Sequence, residues 1–245
     1  MADFKIKSAA GTGNKTLIQG QDQSGSSSAI EISDAGNLAF GNNGKLFHSM
    51  QVFTADGTWT KPAGVTAVYV IVTGAGGGGG GRGSGAGDAG GGGGAGGTAN
   101  KWITSGLGST EAIQVGDAGT AGTGTSNAGD GQDSTFGSHC TGKAGIGGQH
   151  GNAHGVGAVS VVATGGDINL IGQAGDGGSD DIGYAVSGGT GGNSYWGGGG
   201  RGCSGNSSYT ATAGQHGGGG GGGRFDVGDG AAGGAGLIVV YEYKG

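Results

Sequence analysis

Few side chains in this chain stand at spacings that do chemistry, and each such group lacks a partner that its chemistry requires. Gly137-Ser138-His139-Cys140-Thr141-Gly142-Lys143 matches the start of a phosphate-cradling loop, in which glycine amides and a lysine hold a nucleotide's phosphates. Such a loop needs a magnesium-binding Ser or Thr after the lysine and a helix behind it. Ala144 stands at the first of these positions, and Ile146-Gly147-Gly148 rules out the second. His150 and His154 have the i, i+4 spacing of a metal pair, which makes a site only on a helix, and Gly151 and Gly155 argue against one. Cys140 beside His139 offers a nucleophile and a base, but no acidic residue follows until Asp167 and no helix is at hand to stabilise an oxyanion. Asn14-Lys15-Thr16 and Asn206-Ser207-Ser208 fit the glycosylation triplet, which has meaning only with a secretory signal. The expectation is a protein that is not an enzyme and carries no metal or cofactor.

Composition explains why so little chemistry is on offer. Glycine supplies 73 of 245 residues, against a usual share of about 7%. Leu, Ile, Val and Phe together fall below the share, about 20%, at which chains build an ordinary core. Charge-driven disorder is not the alternative, because the net charge is only −6 and charged residues make up 11%. A glycine-rich chain loses unusually large entropy on ordering, so a specific set of interactions must offset that loss. No basic cluster invites nucleic acid. The opening Met-Ala-Asp-Phe-Lys-Ile-Lys lacks the apolar stretch of a signal peptide, and no run approaches the roughly 20 apolar residues of a membrane span. Synthesis in a cytoplasm without membrane insertion is expected. Cys140 and Cys203 form either one bridge or two free thiols.

The chain divides into a polar segment, residues 1–50, and a glycine-rich domain, residues 51–245. Val65-Thr66-Ala67-Val68-Tyr69-Val70-Ile71-Val72 concentrates β-branched and aromatic residues with both period-2 faces apolar, which predicts a strand buried on both sides. Leu237-Ile238-Val239-Val240-Tyr241-Glu242-Tyr243 has the same character, so the first and last strands of the domain should lie together. Pro62 sits in the turn that feeds the first of them, where a missing N–H costs little. Between them run Gly76–Gly81, Gly90–Gly94, Gly197–Gly200 and Gly217–Gly223. Richer segments interrupt these runs: Trp102-Ile103, Ile113 to Val115, Thr135-Phe136, Val159 to Val162, Ile168 to Ile171 and Tyr195-Trp196. A flexible linker rarely alternates in this way. Collagen requires a sustained Gly-X-Y register and abundant proline, and the chain has a single proline. The remaining reading is a bundle of polyproline-II-like glycine helices, which approach closely enough for their backbones to hydrogen-bond laterally. The richer segments would join the straight runs as turns. The fold class expected is mainly β and irregular, with almost no α-helix. It comprises a short N-terminal β attachment or shaft segment and a small sheet framing the glycine bundle.

The run Val52-Phe53-Thr54-Ala55-Asp56-Gly57-Thr58-Trp59-Thr60-Lys61-Pro62-Ala63-Gly64-Val65, followed by the apolar strand and Gly74-Ala75-Gly76-Gly77-Gly78-Gly79, resembles the opening of the glycine-rich domains of bacteriophage tail-fibre proteins. Gly131 to Ser138, Gly166 to Gly175, Gly191 to Gly200 and Gly234 to Tyr243 are similar to that family's internal segments and closing strand, so the likeness spans residue 51 to the C-terminus. Residues 1–50 resemble fibre-shaft segments, chiefly in Ala29-Ile30-Glu31-Ile32-Ser33-Asp34-Ala35-Gly36-Asn37-Leu38-Ala39-Phe40, a strand, turn and strand. Two short strands are marginal alone in water, and a homotrimer would bury Ile30, Ile32, Leu38 and Phe40 between chains.

The resemblance implies a virion-borne adhesin at a tail-fibre tip. Its partner would be a bacterial surface receptor, either a lipopolysaccharide or capsule glycan or an outer-membrane protein. Residues 1–50 would join another tail or baseplate protein. Glycine flanks have no side chains with which to discriminate, so recognition should reside in the turns at one end of the bundle. His150, His154, Tyr184, Tyr209 and His216 are the expected receptor-binding residues, since aromatic and imidazole rings give a large contact area at low entropy cost. Trp59, Phe136 and Trp196 are expected to pack structurally. The alternative reading is a structural or ice-binding glycine-helix protein, for which strict three-residue spacing, a signal peptide and cystine staples are expected.

Overall fold

A computed structural model of the chain describes residues 16–18, 30–32, 38–40, 46–151, 154–179, 187–204 and 209–245. Its strands, in chain order, are β1 Thr16–Ile18, β2 Ile30–Ile32, β3 Leu38–Phe40, β4 Leu46–Phe53, β5 Gly57–Thr60, β6 Val65–Thr73, β7 Thr98–Ile103, β8 Thr110–Gln114, β9 Ser134–Phe136, β10 Cys140–Gly142, β11 Ile168–Leu170 and β12 Leu237–Lys244. No helix of the α type occurs among the described residues. The first three strands form an antiparallel sheet in which β2 and β3 pair as a hairpin, Ile30 opposite Phe40 and Ile32 opposite Leu38. The expected trimer contacts involve side chains outside the described residues.

The two apolar strands lie together as their sequences predict. β6 and β12 pair antiparallel from Thr73 opposite Leu237 to Val65 opposite Lys244, at the centre of a five-stranded sheet ordered β11-β7-β6-β12-β4. A second antiparallel sheet, ordered β10-β9-β8-β5, covers one face of the first. Val65, Val68, Val70, Val72, Ile238 and Val240 meet Trp59, Ile113, Phe136 and Cys140 there, forming the only large hydrophobic cluster among the described residues. Trp59 closes this core at its edge. Its indole Nε1 donates to Glu242 Oε1 at 2.7 Å, and the buried Glu242 carboxylate also accepts from Gln51 Nε2 at 2.7 Å and from Ser49 Oγ. β4 carries residues from both sides of position 50 into the sheet.

Several of the richer segments expected as turns are strands instead. Trp102-Ile103 ends β7, Ile113 lies in β8, Phe136 in β9 and Ile168 to Leu170 in β11. Each alternates side chains between two faces: Ile103, Ile113 and Phe136 are drawn into the two-sheet core, whereas Trp102 and Ile168 stay exposed.

Beyond the sheets the glycine runs form a laterally bonded bundle with a three-residue repeat. The amides of Gly76 and Gly79 donate to Gly234 and Ala231, those of Gly77 and Gly80 to Gly94 and Gly91, and those of Gly78 and Gly81 to Gly129 and Ser126. Carbonyls of the same run accept from Gly119 and Gly122, from Gly220 and Gly223, and from Gly145, Gly148 and Gly151. Each third of the backbone thus faces a different pair of neighbours, so this run is bonded on all six sides. The run around Gly90–Gly97 is likewise enclosed, by 217–223, 143–149, 173–176, 77–80, 189–192 and 155–158, and Gly218–Gly223 is enclosed in the same way. A three-residue turn without internal hydrogen bonds is the geometry of a polyproline-II helix.

Glycine is required by contact here. A Cβ on Gly79 would lie 2.0 Å from the Gly221 carbonyl oxygen, and one on Gly92 would lie 1.9 Å from that of Thr190. Outer runs face neighbours on fewer sides, and their glycines recur every third residue instead. In Gly116-Asp117-Ala118-Gly119-Thr120-Ala121-Gly122-Thr123 the glycines are buried while Asp117, Thr120 and Thr123 project outwards. The flanks therefore carry side chains, contrary to the featureless surface expected; Val156, Val159 and Val162 form an exposed row.

Candidate functional site

The runs shuttle between the sheets and a distal end, where residues 82–89, 123–127, 149–151, 154–155, 203–204, 209 and 224–229 gather. Amides at this end tie the turns together: Gly83 donates to Gly124, Gly151 to Gly81, Gly155 to Ala89 and Gly188 to Cys203. Ala89 also bridges to both Arg224 and His154.

Three of the expected receptor residues lie here. His150 is held by Asn127, whose Oδ1 accepts from the His150 backbone amide at 3.0 Å and contacts the ring Nδ1 at 2.9 Å. His154 is exposed beside Ala89. Tyr209 is exposed and carries the Arg201 guanidinium over its ring, 4.7 Å from the centroid, a cation–π pair that fixes the ring for contact. Tyr184 lies outside the described residues.

His216 does not belong with the others. It occupies the turn that leads into Gly217–Gly223 at the sheet end, where its carbonyl accepts from Ser194 Oγ at 2.6 Å and its backbone takes a left-handed φ of 42°. The four described residues are thus divided between opposite ends of the bundle. Chain position misled because consecutive turns alternate ends.

Side chains that the sequence reading passed over complete the distal end. Arg82, Ser84, Thr125, Phe225, Asp226 and Val227 line an open groove of about 520 Å³. Asp229 fixes one wall, accepting from the Gly124 amide at 2.8 Å and pairing with Arg82 Nε at 3.4 Å. Asp226 takes a left-handed φ of 65°, the only other non-glycine residue described with a positive φ.

The sequence matches to catalytic motifs dissolve in the fold. Gly137 to Lys143 spans the turn and second strand of the β9–β10 hairpin, and Lys143 is engaged by Asp133. Cys140 is buried in the core, and burial pushes its thiol up to about 11, far from a reactive thiolate. Cys203 is buried and free as well, and desolvation raises its pKa too. His139 pairs with Glu111 at 3.2 Å, away from solvent. Among the described residues no group of three or more His, Cys, Asp or Glu side chains converges to hold a metal ion.

Trp196 and Phe136 pack as expected. Phe136 is fully buried against Trp59, with ring centroids 5.7 Å apart. Trp196 lies on the outer face of the five-stranded sheet, against Ile71, Leu237 and Val239.

The sequence profile of a glycine-rich domain family matches residues 51–243, and the chain belongs to that family. No curated protein matches the chain.

Proposed function

We propose that this protein is a receptor-binding adhesin at the tip of a bacteriophage tail fibre, attaching the virion to a glycan or outer-membrane protein of a bacterial surface. The observation that carries this reading is the division of labour in the domain. Its inner glycines have neighbouring carbonyls where a side chain would begin, while its distal turns hold His150, His154, the Arg201–Tyr209 pair and the Arg82–Phe225 groove on a rigid support. Rigid scaffolds that present variable turns are a common solution for recognition, because turn residues change without disturbing the fold. Residues 1–50 serve attachment to another tail or baseplate protein, and a homotrimer of this segment would supply the partners that short strands need.

Adsorption of the fluorescently labelled full chain to a panel of bacterial strains tests the reading. Alanine at His150, His154, Tyr184 and Tyr209 should weaken adsorption about tenfold for each ring that is a contact anchor, with multivalent display on a virion enlarging the loss. His216→Ala, at the other end, should adsorb as the wild type does. A folded quadruple variant that adsorbs to the same strain at wild-type strength would refute the distal assignment, and a wild-type chain that adsorbs to no strain would refute the adhesin reading itself.

A further inference from the structure

The outer face of the five-stranded sheet, left uncovered by the second sheet, carries an aromatic shelf. The β6–β7 register sets Tyr69 opposite Trp102, their rings 6.0 Å apart, and Tyr241 lies 6.2 Å from Tyr69 on its other side. Tyr243 stacks on Trp102 at 4.6 Å. From the bundle, Tyr195 and Trp196 reach over this face, edge to face with each other at 4.9 Å. Trp102 and Tyr195 remain 39% and 51% exposed, although both are large rings that burial would favour. Next to the shelf runs an open groove of about 660 Å³, whose walls include Tyr195, Asn193, Gln173, Thr98 and Leu170.

Two buried polar atoms at this place have no partner. Asn100 is 7% exposed, and its Oδ1 accepts no hydrogen bond; Trp196 Nε1 is buried and donates none. Both belong to one face of the sheet: Asn100 stands opposite Ile71 in the strand register, and Trp196 packs against the cluster of Ile71, Leu237 and Val239. A buried donor or acceptor without a partner is costly, so the survival of both on this face points to ligand groups that serve them. Hydroxyls do so, since one can donate to Asn100 Oδ1 and another accept from Trp196 Nε1. Asp167, whose Oδ2 accepts from the Trp102 amide at 2.8 Å, adds a carboxylate to the rim. Burial first, and then Tyr195, Tyr241, Asp167 and Tyr243, hold the Tyr69 phenol above its ordinary value, so Tyr69 stays a neutral hydrogen-bond donor beyond the pH at which a free phenol ionises.

We infer that this shelf and groove form a saccharide-binding site, in which sugar rings stack their C–H faces on Trp102 and Tyr195 while hydroxyls meet Asn100 and Trp196. Flat aromatic rings beside hydroxyl-sized polar positions suit a polyhydroxylated ligand with apolar ring faces. A protein partner would instead favour a continuous apolar surface free of orphaned polar atoms. The site lies at the opposite end of the bundle from the distal turns and does not depend on which of them touches a receptor.

A microbial glycan array probed with the full-length chain tests this, followed by titration of each hit against Trp102→Ala, Trp102→Phe and Tyr195→Ala, with melting curves to establish folding. The expected result is binding to at least one glycan, weakened about tenfold by Trp102→Ala and by Tyr195→Ala, preserved by Trp102→Phe, and untouched by Val159→Ala on the exposed flank of the bundle. Folded Trp102→Ala and Tyr195→Ala variants that bind a hit as the wild type does would overturn the site. A wild-type chain that adsorbs to bacteria yet binds no glycan would overturn it and leave the adhesin reading standing. If Trp102→Ala dissociates an oligomer of the chain in sedimentation without altering glycan binding, the shelf is a protein interface and the inference fails.

Discussion

A single methyl group placed in the bundle interior tests its physics most sharply. A Cβ on Gly221 would sit 1.9 Å from the Arg201 carbonyl oxygen, whereas ordinary contact begins at 3.4 Å, so the two runs must separate by about 1.5 Å. Three lateral bonds span the gaps that would open or shear: Gly221 N to Thr212 O, Ala231 N to Gly221 O and Cys203 N to Gly222 O, at 3.1, 2.9 and 2.9 Å. Their loss at about 0.5–1.5 kcal/mol each is opposed only by the reduced unfolded-state entropy of alanine, about 0.4–1 kcal/mol. Gly221→Ala should therefore destabilise the domain by about 0.5–4 kcal/mol, a drop in melting temperature of up to about ten degrees. The matched control is Gly177→Ala on the bundle's periphery, where the nearest atom to the new Cβ is the Gly155 oxygen at 3.5 Å. It should be neutral or stabilising by up to about 1 kcal/mol. Denaturant unfolding of the two variants gives the comparison directly. Equal stabilities would mean that the inner runs are not packed backbone to backbone, and the reasoning would fall.

Other outcomes follow from the core. Glu242→Leu leaves the Trp59 indole and the Gln51 and Ser49 donors without their acceptor, so it should cost about 3 kcal/mol or more and alter the Trp59 fluorescence. Burial holds the Cys140 thiol at about 11 in the folded chain against about 9 when unfolded. The unfolded state thus releases its proton first. The stability the thiol contributes is complete below pH 9 and is lost, to the extent of about 2–3 kcal/mol, as the pH rises towards 11. Unfolding free energies measured across that window should fall more steeply for the wild type than for Cys140→Ala. Thiol reagents at neutral pH should modify Cys140 and Cys203 only when the chain unfolds, which absorbance on labelling would follow.

Much of this architecture was legible in the residues. The antiparallel pairing of β6 with β12 follows from two matching apolar runs at the ends of the domain, and the structural burial of Trp59 and Phe136 follows from their neighbours. The lateral glycine bundle was legible because no other ordered state suits long runs without side chains. The outer runs carried a plainer signal that composition alone obscured. Gly116, Gly119 and Gly122, or Gly145, Gly148 and Gly151, repeat every third residue because only one side of an outer helix meets a neighbour. The second sheet was hidden because β9 and β10 are only three residues long and β5 only four, too short for periodicity to register. The aromatic shelf was hidden by similarity of its two faces: Tyr69 and Tyr241 read as apolar strand residues, and only register shows them on the face opposite Val68, Val70 and Val240. Which turn lies at which end depends on the sequence of passes between sheets and tip, which local residue types do not encode. That is why His216 parted from His150, His154 and Tyr209.

Native-state hydrogen exchange, resolved by residue, measures the central claim directly. If lateral backbone bonds take the place of a hydrophobic core, the amides of Gly76–Gly81, Gly90–Gly97 and Gly219–Gly223, each donating to a neighbouring run, should exchange only with global unfolding. Their protection should match or exceed that of β6 and β12. Exchange of these glycines at the rate of an unstructured chain, with protection confined to the two sheets, would show that the bundle does not exist as described.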